Sequence, residues 1–386
     1  MSDVPKILIV SAAANMIQQF NRRNILILKD LGYDVHVATN FVNYGSMSSG
    51  ENEKLKMWLT EQDVTMHQVN FMRGMGNPKT NWLVYKDLCA IIKQNGISII
   101  HAHSPIGGVI GRLAAKREHI KSIYTAHGFH FFKGSPFKNW LLFYPLEWTL
   151  SFITDTLIVI NKEDLQVTKK FHAKKVQYVP GVGVDVKSAL AVPDIEKEKI
   201  RCHKREELNL SDEDIVILSV GELSKRKNHQ VILRAIAKLN NPKIKLLIAG
   251  VGPLENQLRD LSRNLKVDKQ LRLLGYRNDL KELHYACDIN VFPSLQEGLA
   301  LGGLESVIDG LYILGADIRG IKDYIIENKS GNLFSPTDVD NLSSLINKYT
   351  NNYFRVDAKK YGNFLMKFDC NRVDMKMKKI YSKYKE

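Results

Sequence analysis

Short apolar runs alternate with stretches of helical periodicity along most of the chain. In the first half, the runs predict strands at residues 7–10, 33–38, 97–101, 122–125 and 156–160. The helical stretches between them end at residues typical of helix C-termini, such as Gly32 and Gly96. Alternation of this kind predicts a parallel sheet that is covered by helices on both faces.

The alternation restarts after a linker, Val179-Pro180-Gly181-Val182-Gly183. Further strands are predicted at residues 215–220, 245–250, 272–274, 289–292 and 311–315, with helices at residues 230–239 and 254–265. We therefore predict an α/β protein with two Rossmann-like domains and an active site in the cleft between them. The domains are expected at residues 1–183 and 184–360, and a closing helix is expected at residues 361–386.

The composition is that of an ordinary globular protein: of 386 residues, 44% are hydrophobic and 25% are charged. The four cysteines are scattered without C-x-x-C spacing, which argues against a zinc site and against a disulfide framework. The N-terminus lacks the basic-then-apolar order of a signal peptide. We therefore expect a cytoplasmic protein in a reducing compartment.

The net charge of +14 is unevenly distributed. Lys and Arg exceed Asp and Glu in residues 1–183 and 355–386, whereas residues 184–354 are balanced. This distribution suggests that one half of the protein faces an anionic partner, and both nucleic acid and an anionic membrane surface are compatible with it.

The nearest candidate for a membrane span is residues 129–153, but charged residues and a proline interrupt it, so no span of about 18 apolar residues is predicted. This segment is rich in Phe, Trp and Tyr and contains Lys133 and Lys138. Core packing explains such a composition, and so does a surface that dips into the membrane interface.

Two carboxylates with seven residues between them follow the predicted strand at residues 289–292. Glu297 lies in the loop after this strand, and Glu305 lies one turn into the helix that opens near Gly302 and Gly303. Carboxylates on either side of a helix N-terminus can hold hydroxyl groups, and the exposed N–H groups between them can hold a phosphate. The combination suits a nucleotide sugar, although two solvated glutamates on a surface helix would show the same spacing.

Side chains that could take part in binding or catalysis also follow other predicted strands. A cation-rich loop at residues 221–228 can neutralise a diphosphate, unless it is only a solvated run of charge. Histidines lie at two strand ends of the first domain, in residues 101–103 and 127–130. A metal site there would need a nearby carboxylate or cysteine, and none is apparent, so we expect no metal.

Together these segments resemble the retaining nucleotide-sugar glycosyltransferases of family four, which have two Rossmann-like domains in the glycosyltransferase B-type architecture. The Glu297/Glu305 pair resembles the E-x7-E signature of that family. Residues 221–228 are similar to its G-R-L-x-x-x-K-G segment, with Lys227 at the last Lys, and residues 250–253 match its G-x-G-P turn.

The first domain carries matching features. His103 and His127 stand where family members have H-x-H and T-x-H-G segments. Residues 131–134 and 161–164 look like those of enzymes that build bacterial capsular polysaccharides and exopolysaccharides.

The resemblance implies transfer of a sugar from a nucleotide-diphosphate sugar, UDP by family frequency, to a saccharide acceptor that is lipid-linked. It implies retention of anomeric configuration, no metal or other cofactor, no nucleic-acid partner, and peripheral contact with the anionic inner face of the cell membrane. The residues implied for catalysis are His127, Glu297 and Lys227, and those implied for substrate binding are Glu305, Arg226, Gly302, Gly303, Leu301, Tyr276, Arg277, His103 and Ser11.

Three places depart from the family pattern, and one of them is Leu299-Ala300-Leu301-Gly302-Gly303, where a Pro and bulkier apolar residues are common. Glu222 stands where many members have Arg, and Lys225 or Arg226 are the candidates to replace it. Ser11 and the three alanines after it stand where many members have a Gly-Gly turn.

Two other classes of protein remain as alternatives: a sugar-nucleotide epimerase of the same architecture, and a nucleic-acid-binding protein. The chain shows no known nucleic-acid-binding module, and its basic residues are not confined to one stripe.

Overall fold

The computed structural model describes residues 4–72, 74–350 and 355–385, so the first three residues of the N-terminus lie outside the described part. Two compact units are present, and each is built on its own parallel sheet. The first unit combines Met1–Gly183 with Cys370–Glu386, and the second unit is Val184–Asp369. The predicted α/β class with two Rossmann-like sheets is therefore confirmed.

The sheet of the first unit has seven strands within the described residues. They are β1 (Lys6–Val10), β2 (Asp34–Thr39), β3 (Thr65–Gln68), β4 (Ile99–His103), β5 (Lys121–Ala126), β6 (Thr156–Val159) and β7 (Lys175–Tyr178). Their spatial order is β3-β2-β1-β4-β5-β6-β7, with all pairs parallel. Strands β4 and β6 are buried along their whole length, as expected for a sheet covered on both faces.

Helices connect these strands. They are α1 (Ala14–Phe20), α2 (Arg22–Asp30), α3 (Ser49–Glu61), α4 (Pro78–Asn95), α5 (Pro105–Arg117), α6 (Phe137–Ser151) and α7 (Lys162–Thr168). Local signals fix several ends: α3 begins with a capping box between Ser48 and Glu51, and α4 ends at Gly96 in the left-handed conformation.

The second unit repeats the architecture. Its strands are β8 (Ile215–Val220), β9 (Ile244–Ala249), β10 (Leu271–Gly275), β11 (Ile289–Phe292), β12 (Tyr312–Ala316) and β13 (Gly331–Phe334), in the parallel order β10-β9-β8-β11-β12-β13. Its helices are α8 (Val186–Ala191), α9 (Asp194–Glu207), α10 (Gln230–Leu239), α11 (Glu255–Asn264), α12 (Leu280–Ala286), α13 (Leu301–Ile308), α14 (Val339–Thr350) and α15 (Gly362–Leu365). Short 3-10 turns occur at Asp268–Gln270, Ala358–Tyr361 and Met366–Phe368.

The last helix, α16 (Cys370–Ser382), returns to the first unit. Its apolar side chains Val373, Met377 and Tyr381 join the core cluster that contains residues of α2 and β1. The expected closing helix at residues 361–386 is thus divided. Its first part forms short turns in the second unit, and Asp369 is extended (φ −61°, ψ 133°), which ends those turns before α16 begins.

No helix in the described residues is long and apolar enough to cross a lipid bilayer.

Candidate functional site

Two loops of the second unit meet at the carboxyl ends of adjacent strands β8 and β11. The backbone N–H of Leu295 donates to the carbonyl of Arg226 at 2.8 Å. The Asn228 side chain, on a residue with φ +57°, donates to the carbonyl of Pro293 at 3.2 Å. Because the carboxyl edge of an open parallel sheet is where ligands bind, these contacts locate the candidate site.

An ion-pair cluster surrounds Glu297 at this edge of the sheet. Its Oε1 atom lies 2.7 Å from Lys227 Nζ and 3.1 Å from Arg226 Nη1. The Lys227 side chain runs over Gly221, where an added Cβ would lie 2.9 Å from Lys227 Cε, and its ammonium lies 4.7 Å from the centre of the Phe292 ring. The structure therefore brings together the carboxylate predicted for sugar hydroxyls and the cations predicted for the diphosphate.

The loop that carries Glu297 is held in place by buried residues that contact its backbone and to which the sequence analysis gave no role. Arg319 is fully buried, and its Nε donates to the Glu297 carbonyl at 3.1 Å. Gly320 has φ +78°, and a Cβ there would lie 2.4 Å from the Gly298 carbonyl oxygen. The Arg-Gly pair was visible in the sequence, but the burial of the arginine is the signal that reveals its role, and burial depends on tertiary structure.

Helix α13 begins directly after this loop, with Leu301 and Gly302 half-buried and Gly303 buried. A Cβ on Gly303 would lie 2.2 Å from the Tyr324 hydroxyl oxygen, whereas a Cβ on Gly302 would meet nothing closer than 3.7 Å. Ser306 Oγ donates to the Gly303 carbonyl at 2.8 Å. The first N–H groups of a helix have no partner within the helix, so this start is suited to an anion.

Glu305 is half-buried on the first part of α13. Burial is the main reason that its pKa is raised above that of a solvated glutamate, and the nearby Asp309 carboxylate adds to this effect. Asp309 itself lies 2.7 Å from His284 Nδ1 in a buried pair. Glu305 is therefore a carboxylate held in a partly dry environment.

Tyr276 and Arg277, which the resemblance implies for substrate binding, follow strand β10, and their side chains differ in exposure. The Tyr276 side chain is 75% exposed. The Arg277 guanidinium donates to Asp279 Oδ1 at 2.7 Å and lies 3.4 Å from Glu207. Arg277 is thus committed to an ion-pair network inside the second unit, which leaves the Tyr276 ring as the more accessible of the two.

In the first unit, three histidines come together at the ends of β4 and β5. His103 Nδ1 lies 3.0 Å from His127 Nε2, and the rings of His101 and His103 are 4.1 Å apart. His101 is held by the Tyr381 hydroxyl and by Thr125 Oγ1, both at 2.8 Å. These contacts lock the rings in fixed orientations.

Burial keeps these histidines neutral. It lowers the pKa of His101 to about 3 and that of His127 to about 4, and it lowers the pKa of His103 well below the usual histidine range. Neutral imidazoles can donate or accept a hydrogen bond without adding charge. Among the described residues, no group of three or more His, Cys, Asp or Glu side chains is arranged to hold a metal ion.

His127 borders two cavities of the first unit. One of ≈ 30 Å³ is shared with Phe20, Asn24 and His103. The other, of ≈ 240 Å³, is shared with residues of α5 and α6, among them Val109 and Glu147. Both cavities therefore lie at the strand end that carries His127, which the resemblance implies for catalysis.

Ser11 is buried, and its hydroxyl contacts the Ala13 carbonyl and Thr39 Oγ1, both at 3.0 Å. The side chain of this predicted substrate-binding residue therefore serves the loop itself. Any contact with substrate at this position would come from the backbone.

Comparisons with known proteins give matches over most of the chain. The family model described as "Glycosyl transferase 4-like" matches residues 6–161, and the model "Glycosyl transferases group 1" matches residues 201–363. The chain is 32% identical over 317 residues to the "Putative glycosyltransferase EpsD" of Bacillus subtilis, covering 80% of this chain and 78% of that protein.

A second relative is the "UDP-Gal:alpha-D-GlcNAc-diphosphoundecaprenol alpha-1,3-galactosyltransferase" of Escherichia coli. It is 29% identical over 272 residues, which cover 68% of this chain and 69% of that protein. Among solved structures, Anabaena HepE in complex with UDP and glucose has a TM-score of 0.73 at 16% identity, over 98% of this chain and 100% of that one. At this level of identity the structural likeness shows a shared fold.

Proposed function

This chain belongs to the group 1 glycosyltransferases of the bacterial cell-surface type, and we propose that it transfers a hexose from a UDP-sugar to a lipid-linked saccharide. The proposed transfer retains the anomeric configuration and needs no metal. The observation that carries the proposal is the Lys227–Glu297–Arg226 cluster directly before the N-terminus of α13.

The proposed donor site uses each part of this edge. Lys227, Arg226 and the first N–H groups of α13 stabilise the departing diphosphate, since fixed donors and cations at a developing charge lower the barrier. Glu297 holds hydroxyl groups of the transferred sugar, and Glu305 holds the ribose. The exposed Tyr276 contacts the nucleotide base.

The proposed chemical step requires no enzyme nucleophile. The acceptor hydroxyl attacks the anomeric carbon on the face that the diphosphate leaves, and its proton passes to the departing phosphate oxygen. Neutral His127 of the first unit hydrogen-bonds to the sugar, and His103 fixes the orientation of its ring through the 3.0 Å contact. Exclusion of water protects the donor from hydrolysis.

A lipid-linked acceptor is proposed because a relative carries a diphosphoundecaprenol substrate in its name. The ≈ 240 Å³ cavity beside His127 has room for part of a sugar acceptor. The proposed location is the cytoplasmic face of the cell membrane, which the protein contacts peripherally.

The test is a thermal-shift screen of the purified protein against UDP-, GDP-, ADP- and dTDP-sugars with EDTA present. A ligand that binds only the native state raises the melting temperature in a concentration-dependent way. We expect a rise with UDP-sugars that survives EDTA and is lost in Glu305→Ala. A rise that requires a divalent cation would contradict the metal-free proposal.

Product analysis then separates transfer from epimerisation. Incubation with a diphospholipid-linked acceptor and a UDP-sugar should give a glycosylated lipid whose new linkage has the anomeric configuration of the donor, as read by NMR. Isomerisation of the donor without acceptor would support the epimerase alternative.

A further inference from the structure

The outer face of α6 is an exposed apolar stripe. Phe137 is 80% exposed, Leu141 70% and Phe152, just beyond the helix, 52%. Trp148 is also exposed on this helix. Large apolar side chains are rarely grouped on the surface of a soluble domain unless the surface meets another apolar phase.

The spacing of these residues places them on one side of the helix. Phe137, Leu141, Trp148 and Phe152 are separated by four, seven and four residues, which are the separations that repeat on one helical face. At 1.5 Å per residue the stripe is about 22 Å long. Its far end is extended by His172, whose ring stacks on Phe152 at 4.0 Å.

Charge around the stripe is mainly positive. The only acidic residue of Phe137–Ser151, Glu147, is buried against Arg112 at 2.8 Å. Lys133 and Lys138 are exposed at the start of the helix, and Lys169 and Lys170 are exposed in the segment that leads to His172. Glu163 lies at the starting end, where its carboxylate accepts a hydrogen bond from the backbone N–H of Lys133.

The inner face of the same helix borders the ≈ 240 Å³ cavity. Phe143, Leu146 and Glu147 line this cavity together with His127. One helix therefore separates an exposed apolar stripe from the proposed acceptor cavity. This continuity favours a membrane over an unrelated protein as the partner of the stripe.

We propose that α6 lies in the plane of an anionic membrane interface, with Phe137, Leu141, Trp148 and Phe152 among the acyl chains and the flanking lysines at the lipid headgroups. Aromatic and aliphatic side chains flanked by Lys are the groups that such an interface favours. The inference deepens the proposed function, because it identifies the surface through which the enzyme reaches a lipid-linked acceptor.

The first test is co-sedimentation with vesicles of phosphatidylcholine, with and without phosphatidylglycerol. We expect binding that requires phosphatidylglycerol and falls about tenfold or more in Phe137→Ser/Leu141→Ser. The matched control is Met57→Ser/Met375→Ser, since both methionines are 63% exposed on other helices of the first unit. Equal binding by the two double variants would overturn the proposal.

The second test places the helix in the bilayer directly. Brominated lipids quench the fluorescence of tryptophans that enter the acyl region. Vesicles of such lipids should therefore quench the fluorescence of the wild type and of Trp82→Phe. They should quench the fluorescence of Trp148→Phe much less. Trp82 is a suitable control because it is 54% exposed on α4. Unchanged quenching in Trp148→Phe would contradict insertion of α6.

Two further measurements separate this inference from the proposed function. Phe137→Ser/Leu141→Ser should keep wild-type UDP binding and wild-type transfer to a water-soluble acceptor, and should lose transfer to vesicle-embedded acceptor. If the protein bound vesicles through α6 but bound no nucleotide, only the proposed function would fail. Light scattering that showed a dimer in the wild type and a monomer in the double variant would assign the stripe to a second copy and overturn the membrane proposal.

Discussion

Lys227 Nζ and Glu297 Oε1 lie 2.7 Å apart, so the cation proposed for the diphosphate is held by the carboxylate proposed for the sugar. Both side chains are largely shielded from solvent, with exposed fractions of 13% and 10%. Electrostatic interactions are stronger in such an environment than in water. A donor bound as proposed therefore has to share or replace this ion pair, and each partner should affect binding and rate in a different way.

Lys227→Ala should lower kcat by about 10²–10³-fold, because it removes a fixed cation from the departing diphosphate. Binding of UDP should weaken less, since Arg226 and the α13 N–H groups remain. Steady-state kinetics and calorimetry would measure the two effects. The control is Lys243→Ala, which removes an exposed lysine paired with Glu213. If Lys227→Ala kept the wild-type kcat, the proposed role of Lys227 in the mechanism would be wrong.

Glu297→Gln should slow transfer while leaving UDP affinity equal to or tighter than that of the wild type. The amide keeps the shape of the side chain but no longer neutralises Lys227 and Arg226, so the diphosphate meets two unopposed cations. Calorimetry with UDP and single-turnover transfer would separate the effects. Much weaker UDP binding would show that the carboxylate is needed to hold the cations in place.

Gly303→Ala and Gly302→Ala form a matched pair at the start of α13. The Gly303 variant places a Cβ 2.2 Å from the Tyr324 hydroxyl oxygen and should destabilise the protein by about 1–3 kcal/mol and weaken UDP binding. The Gly302 variant has room, with its nearest atom at 3.7 Å, and should keep wild-type stability. Tyr324→Phe added to Gly303→Ala should restore part of the loss, because it removes the clashing oxygen. Equal melting temperatures for the two alanine variants would contradict this account.

Acid should weaken the first unit before its carboxylates are fully protonated. In the unfolded chain His101 and His127 titrate near the ordinary histidine pKa of about 6.5, whereas burial lowers their folded pKa values to about 3 and about 4. Below about pH 6.5 the unfolded state therefore binds protons that the folded state does not, and the free energy of unfolding falls until the folded pKa is reached. Above about pH 6.5 this stabilisation is fully present.

Urea unfolding followed by tryptophan fluorescence should reveal this dependence, because all four tryptophans lie in the first unit. Each of these two histidines contributes at most about 1.4 kcal/mol per pH unit. His101→Gln should show a shallower decline than the wild type. His119→Asn changes an exposed histidine with φ +56°, a conformation that asparagine tolerates, and should keep the wild-type slope. Identical slopes in all three proteins would contradict the prediction.

The buried Arg112–Glu147 pair should be essential for anchoring α6. Arg112 Nη2 lies 2.8 Å from Glu147 Oε2, and its guanidinium lies 4.0 Å above the Tyr124 ring. Glu147→Gln leaves a buried cation without its counter-charge, so we expect a loss of about 3–5 kcal/mol in urea unfolding. Arg112→Met/Glu147→Leu should recover most of that loss, because neither charge remains. A neutral effect of Glu147→Gln would show that the pair is dispensable.

The sequence predicted the interior strands of both sheets but not the short strands β3, β7 and β13. Interior strands such as β6 and β12 are mainly apolar runs, because both of their faces are covered. Strands β3 and β7 lie at the edges of the first sheet, and their side chains are mostly exposed or half-buried. Edge strands with polar side chains carry no apolar run, so a search for such runs does not find them.

The residues of the candidate site also divide into those that the sequence reveals and those that it does not. Glu297, Glu305 and Lys227 could be selected from the sequence because they follow strands in a recognisable spacing. Arg319 and Tyr324 could not be selected in this way. Their importance comes from their buried contacts, since Arg319 holds the Glu297 carbonyl and the Tyr324 hydroxyl lies next to Gly303. The pairing of Arg277 with Asp279 was equally hidden, because a motif gives the position of a side chain but not its partner.

The return of α16 to the first unit has a consequence for biosynthesis. The ribosome completes the whole second unit before it delivers Val373, Met377 and Tyr381, which belong to the core of the first. At about 5–20 residues per second, the nascent first unit waits on the order of ten seconds or longer for these side chains. During that interval the apolar surface of α2 is uncovered and His101 lacks the Tyr381 hydroxyl. The unit whose synthesis starts first is therefore the last to receive all of its core side chains.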